Sequence, residues 1–183
     1  MATTELTTTT PAPARAARGE LARIARVAAA VWGLTLATAI TVALTGTLAP
    51  GGHPHPVLHG TPSEALELLA HNLRALFAPL ILALARWGRG RLTRTAGDVI
   101  VAAIVLANTA TVGAALGRFG TTLLAYLPHL PLEWSALTLA TCAWVAQRGG
   151  PPRPRLVARY AAGTVALAAG AAVLETFAVP HAH

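Results

Sequence analysis

His129 and Glu133 lie in the run Leu127-Pro128-His129-Leu130-Pro131-Leu132-Glu133-Trp134, between long apolar stretches. On a helix, positions i and i+4 share a face. An imidazole and a carboxylate placed there can together take up and return a proton, which is general acid–base work. Pro128 and Pro131 forbid a regular helix from running straight through. A broken element carrying ionisable groups at membrane depth is tolerated where protein or a water-filled cavity covers it. Other polar groups that belong with this pair are His71, Asn72, Arg74, Asn108, Arg118 and Glu175. His129, Glu133 and His71 form the catalytic set if the chain is an enzyme. Asn72, Arg74, Asn108, Arg118 and Glu175 are the candidates for binding substrate or partner. There is no nucleophile elbow, phosphate-binding glycine loop or metal-ligand helix motif, so neither a cofactor nor a metal is expected. His53, His55 and His59 invite a metal reading, but Pro54 and Pro56 hold that chain extended, and an exposed loop is the simpler expectation. Cys142 is the single cysteine, which leaves no disulfide framework, and it reads as a small apolar packing residue.

The elements that must position these groups are membrane helices. Of 183 residues, 54% are hydrophobic and 11% charged, against about 25% charged in soluble domains. The net charge of +7 comes from arginine, and twelve of the fourteen fall in three clusters. These are Arg15, Arg18, Arg23 and Arg26; Arg86, Arg89, Arg91 and Arg94; and Arg148, Arg153, Arg155 and Arg159. Each flanks a long apolar run, which is the positive-inside pattern rather than a nucleic-acid footprint. Residues 1–22 read as a disordered basic cytoplasmic tail, with a helical entry into the membrane over Arg15 to Arg26. Residues 23–183 read as one all-α polytopic bundle of about five transmembrane helices. The spans are placed at about 27–49, 66–86, 98–117, 121–147 and 156–179, lengths set against roughly 20 residues per crossing. The first is too long for a signal-peptide core and is expected to be retained.

Finer expectations follow along the chain. Ser63 is the plausible N-cap of the second helix, with Glu64 and Glu67 in its first turns. Glu67, His71 and Arg74 share a face, and Pro79 is expected to kink the helix. Asp98 reads as a capping or dipole residue, and Asn108 as glue between helices. Gly113 and Gly117 form a small-residue motif for close packing, within the chain or in a homo-oligomer. Arg118 to Gly120 reads as a tight outer turn. Thr121 to Leu127 is too short to cross, so the chain over 121–134 is either a Pro-broken, re-entrant element or part of one kinked span. With the amino end inside and the carboxyl end outside, His71, Asn72, Arg74, Arg118, His129, Glu133 and Glu175 all fall towards the outer leaflet. The inner half is expected to hold little that is polar beyond its arginine rim. The seven could line an outward-facing cavity. The alternative is that Arg74 and Arg118 snorkel to headgroups while Glu133 and Glu175 neutralise them.

His71-Asn72-Leu73-Arg74 at the head of one span, a small-residue-rich third span with Asn108 and Gly113, and Leu127-Pro128-His129 followed by Glu133 together resemble the stage II sporulation protein M family of integral membrane proteins. The resemblance covers roughly residues 63–147. Leu130 stands where that family's signature has Gly, and Asn108-Thr109 where Asn-Gly is common. It implies a multi-span helical protein working with partners: an ABC ATPase, a cell-wall hydrolase or a second membrane protein, and a precursor peptide.

Two functions from different classes follow. One is an integral membrane subunit in the maturation, export or immunity of a ribosomally made, bacteriocin-like secreted peptide, or in remodelling of the cell envelope. The other is a membrane-embedded, cofactor-independent enzyme that modifies such a peptide by acid–base chemistry such as Cα epimerisation. Both place the chain in the cell membrane, in contact with the lipid bilayer and without nucleic acid.

Overall fold

The computed structural model describes residues 12–47, 60–85, 90–148 and 151–178. Residues 1–11 of the expected tail, the loop with His53, His55 and His59, Arg86 and Arg89, and the terminal His181 and His183 lie outside the described residues. Among the described residues the order is α1 (Ala12–Thr45), α2 (Pro62–Leu84), α3 (Arg91–Phe119), a 3-10 segment (Gly120–Tyr126), α4 (Leu130–Gln147) and α5 (Pro154–Ala178). The chain is a helical bundle. Helix begins at Ala12, three residues before the helical entry expected over Arg15 to Arg26, so residues 12–14 are helical where a disordered tail was expected.

Local chemistry sets the helix starts. Thr61, not Ser63, caps α2: its hydroxyl accepts from the Glu64 amide at 3.3 Å. The Glu64 carboxylate accepts from the Thr61 amide at 2.9 Å. With Pro62 in the first turn this is a complete capping box. Pro131 likewise sits in the first turn of α4, where its missing amide costs nothing, so the helix opens at Leu130 and Pro131 starts it rather than breaking it. α3 runs on through Phe119 and continues as 3-10 turns to Tyr126, in place of the tight turn expected at Arg118 to Gly120.

Four segments are long and apolar enough to cross a membrane: Ala16–Thr45, Pro62–Leu84, Arg91–Leu124 and Pro154–Ala178. Their outward faces expose Leu36, Ile40, Leu44, Ile81, Leu106 and Phe177, all large and apolar. An apolar exterior of that extent suits lipid rather than water. α4 differs: Trp134, Leu137, Ala140, Cys142, Ala143 and Trp144 are buried, covering every side of it beyond its first turns, where Pro131 and Ser135 are exposed. A helix enclosed on all sides is a core element, and α4 is the post around which the others pack. Cys142 is buried there as a free thiol.

Small residues decide how close the helices come. A Cβ on Gly113 would lie 2.5 Å from the Thr35 carbonyl oxygen, and one on Gly117 2.5 Å from that of Ala39. Hence α1 and α3 run parallel with their backbones in contact, and the glycine pair packs within the chain. α4 and α5 are antiparallel, with Gly163 against Leu139 and Gly170 against Leu132. Polar ties close one end of the bundle. Arg159 lies 3.7 Å from Glu20, and Asp98 accepts from Trp144 Nε1 at 2.8 Å and from Arg148 at 2.5 Å. Asp98 therefore joins α3 to α4 instead of capping its own helix, and the end that the sequence places inside carries more polar structure than expected.

Candidate functional site

The opposite end of the bundle gathers the ionisable groups. His129 occupies the N-cap position of α4, where its carbonyl accepts from the amides of Leu132 and Glu133 at 3.0 and 3.2 Å. Its side chain is buried, at 5% exposure. Nε2 lies 4.0 Å from Oε2 of Glu133, one turn along α4. The same nitrogen lies 3.9 Å from Oε2 of Glu175, in the last turn of α5. α2 contributes Asn72, whose Nδ2 donates to Oε1 of Glu133 at 2.7 Å. So the two oxygens of Glu133 are divided: one is held by an amide, the other faces the histidine.

The His129–carboxylate separations are ion-pair distances and exceed hydrogen-bond length. Polar groups spaced this way commonly share a water or an ion. A cavity of about 70 Å³ adjoins the cluster and is lined by His71, Asn72, Asn108, Glu133, Trp134 and Leu137, among others. That volume accommodates a few water molecules. His71 also lines a wider groove of about 420 Å³ along α2, with Glu64, Glu67 and Arg74. His71 therefore stands on the boundary between the groove and the inner cavity.

The expected set is partly assembled. His129, Glu133, Glu175 and Asn72 converge, and His71 and Asn108 reach the cavity. Asn108 lines the cavity and donates to the Ile104 carbonyl of its own helix at 2.8 Å; among the described residues it forms no hydrogen bond to another helix. Arg74 is exposed on the groove side of α2. Arg118 stacks over Phe119, 5.0 Å from the ring centroid. Both carboxylates lie against His129, 4.0 Å and 3.9 Å from its Nε2.

Thr35 and Trp134 support the site and carried no signal in the sequence. Trp134 Nε1 donates to the buried Thr35 hydroxyl at 3.0 Å, fixing α4 to α1 directly beside Glu133. The Thr35 hydroxyl in turn donates to the Val31 carbonyl at 2.9 Å. A threonine bonded back to its own helix is common in membrane spans, and nothing in its neighbours marks this one as a partner for an indole.

No protein-family model matches the chain, and neither a curated protein nor a solved structure is significantly similar to it.

Proposed function

We propose that this chain is an integral membrane protein that crosses five times, amino end inside and carboxyl end outside, with an acid–base centre in its outer half acting on a secreted peptide. The observation that carries the acid–base part is the convergence of His129 and two glutamates, of which Glu133 also lines a cavity sized for water. Glu133, oriented by Asn72, and His129 exchange the proton, and His71 faces them from the groove side. The cavity is too small for a peptide side chain of ordinary size, so a peptide would approach along the groove lined by His71 and Arg74. α4 is the fifth crossing in this reading. Its helix spans about 27 Å, close to the roughly 30 Å of hydrocarbon, and the 3-10 segment before it dips into the outer interface. The peptide substrate and the partners, an ABC ATPase, a hydrolase or a second membrane protein, rest on the resemblance of Leu127-Pro128-His129 and Glu133 to the stage II sporulation protein M family.

A second reading has its own support. The Asn72–Glu133 and Trp134–Thr35 bonds tie α2 and α1 to α4, as they would in a non-catalytic subunit for export, maturation or immunity. One experiment separates the two. The native host, with its own copy deleted, is complemented with wild-type protein or Glu133→Gln. Partners extracted in mild detergent and the secreted peptides are then compared by mass spectrometry. Loss of mature peptide by about a hundredfold or more, with partners and membrane level retained, supports acid–base chemistry. Full product from Glu133→Gln ends that reading and leaves the subunit role.

A further inference from the structure

We propose that His129, Glu133 and Glu175 bind one divalent transition-metal ion of the zinc class. The inference rests on the geometry of the cluster and not on the proposed function. An ion held by His129 Nε2 and Glu133 Oε2 occupies the atoms that the acid–base reading uses, so the metal-bound and proton-exchanging forms of the pair are alternatives. One ligand atom from each residue lies within 4.8 Å of the other two. An ion among them sits about 2–3 Å from each, close to coordination distance and reached by small side-chain movements. The direct distances are 3.9 and 4.0 Å, too long for hydrogen bonds and right for donors that share a centre.

Charge and orientation support the same conclusion. Two largely shielded carboxylates, 20% and 13% exposed, held against one histidine need compensation. A neutral imidazole with one divalent ion balances them completely, whereas a protonated imidazole balances only one. The Asn72 amide holds Oε1 of Glu133 and leaves Oε2 turned to His129. An outer hydrogen bond that frees one carboxylate oxygen for a metal is the usual support of such ligands. One nitrogen and two oxygens suit zinc and its first-row neighbours better than magnesium or calcium, which take oxygen sets. Three protein ligands leave a fourth position for solvent, as in open zinc sites, and Glu133 connects the cluster to the water-sized cavity that it lines.

The test uses full-length protein carrying a tag without histidine, purified in detergent, with metal content measured by plasma mass spectrometry. The expected result is about one equivalent of zinc or a first-row neighbour per chain, with a melting temperature that falls on chelation and returns when Zn²⁺ is added. Glu175→Gln should lose the bound metal, and Asn72→Ala should weaken Zn²⁺ binding about ten- to a hundredfold. The triple replacement His53→Ala, His55→Ala and His59→Ala should keep it. Metal-free protein whose melting temperature ignores both Zn²⁺ and Mn²⁺ overturns the proposal. So does metal that survives Glu175→Gln or leaves with the loop histidines. If Glu175→Gln does not fold, the wild-type content and the triple variant decide. Because no substrate is involved, failure here is separate from failure of the Glu133→Gln assay.

Discussion

At the scale of residues, Glu133 is held from two sides. Asn72 fixes one carboxylate oxygen, and Trp134, the next residue along α4, is anchored to Thr35 on α1. Removing either support tests how much the site depends on its surroundings. Trp134→Phe keeps most of the apolar bulk and deletes a neutral hydrogen bond, so unfolding in detergent should show a loss of about 1 kcal/mol. Asn72→Ala removes a donor to a carboxylate, and a loss of about 1–3 kcal/mol is expected. If Asn72→Ala proves the milder of the two, the amide is not the anchor of Glu133. His71 is exposed on α2 and makes no comparable tie. His71→Ala should therefore leave stability within about 0.5 kcal/mol of wild type while lowering the yield of mature peptide. The residue-level site was legible where chemistry and sequence proximity coincide, as for His129 and Glu133. Glu175 could be named as an outer-leaflet acid, but its place against His129 depends on the antiparallel register of α5 on α4, which no local pattern encodes.

At the scale of elements, contact between α1 and α3 is set by absent side chains. Gly113 and Gly117 let the α3 backbone meet that of α1, and a Cβ at either position would strike a carbonyl oxygen that cannot move aside. Gly113→Val should destabilise the bundle by about 2–3 kcal/mol, measured by unfolding in mixed detergent. Gly33, also on α1, has open space around it. Gly33→Ala should be neutral or raise stability by up to about 1 kcal/mol. Equal effects at the two positions would mean that helix propensity, rather than interhelical contact, governs the difference. The glycine motif was visible in sequence because its spacing is itself the packing surface. Ser63, the N-cap expected from sequence, lies two residues past Thr61, which caps α2. Reading Pro62 as the first helical residue, with Glu64 reaching back, leads to Thr61 instead. The full enclosure of α4 was not legible, since a helix buried all round presents no polar face to show which side meets its neighbours.

At the scale of the whole molecule, charge and topology agree. The Arg159–Glu20 and Arg148–Asp98 pairs bring the start of α1, the start of α5, the end of α4 and the first turns of α3 to one end of the bundle. His129, Glu133 and Glu175 occupy the other. In the proposed orientation, with the arginine end in the cytoplasm, α1 and α3 run outward together, consistent with their parallel glycine contact, and the site faces the outer leaflet. Single cysteines read this arrangement directly, because native Cys142 is fully buried and should label weakly. Thr47→Cys and Ser63→Cys, both exposed at the site end, should react with a membrane-impermeant maleimide on intact cells. Arg91→Cys and Arg155→Cys, both exposed at the arginine end, should react only after the membrane is opened. Labelling of Arg155→Cys on intact cells would turn the bundle over and put the His129 centre on the cytoplasmic side. Labelling of Ser63→Cys and Arg155→Cys from one common side would break the antiparallel order on which the site depends. Under the proposed function, a carboxylate–histidine centre open to the outside meets a peptide only during or after export, so the orientation decides which stage of export the proposed activity could serve.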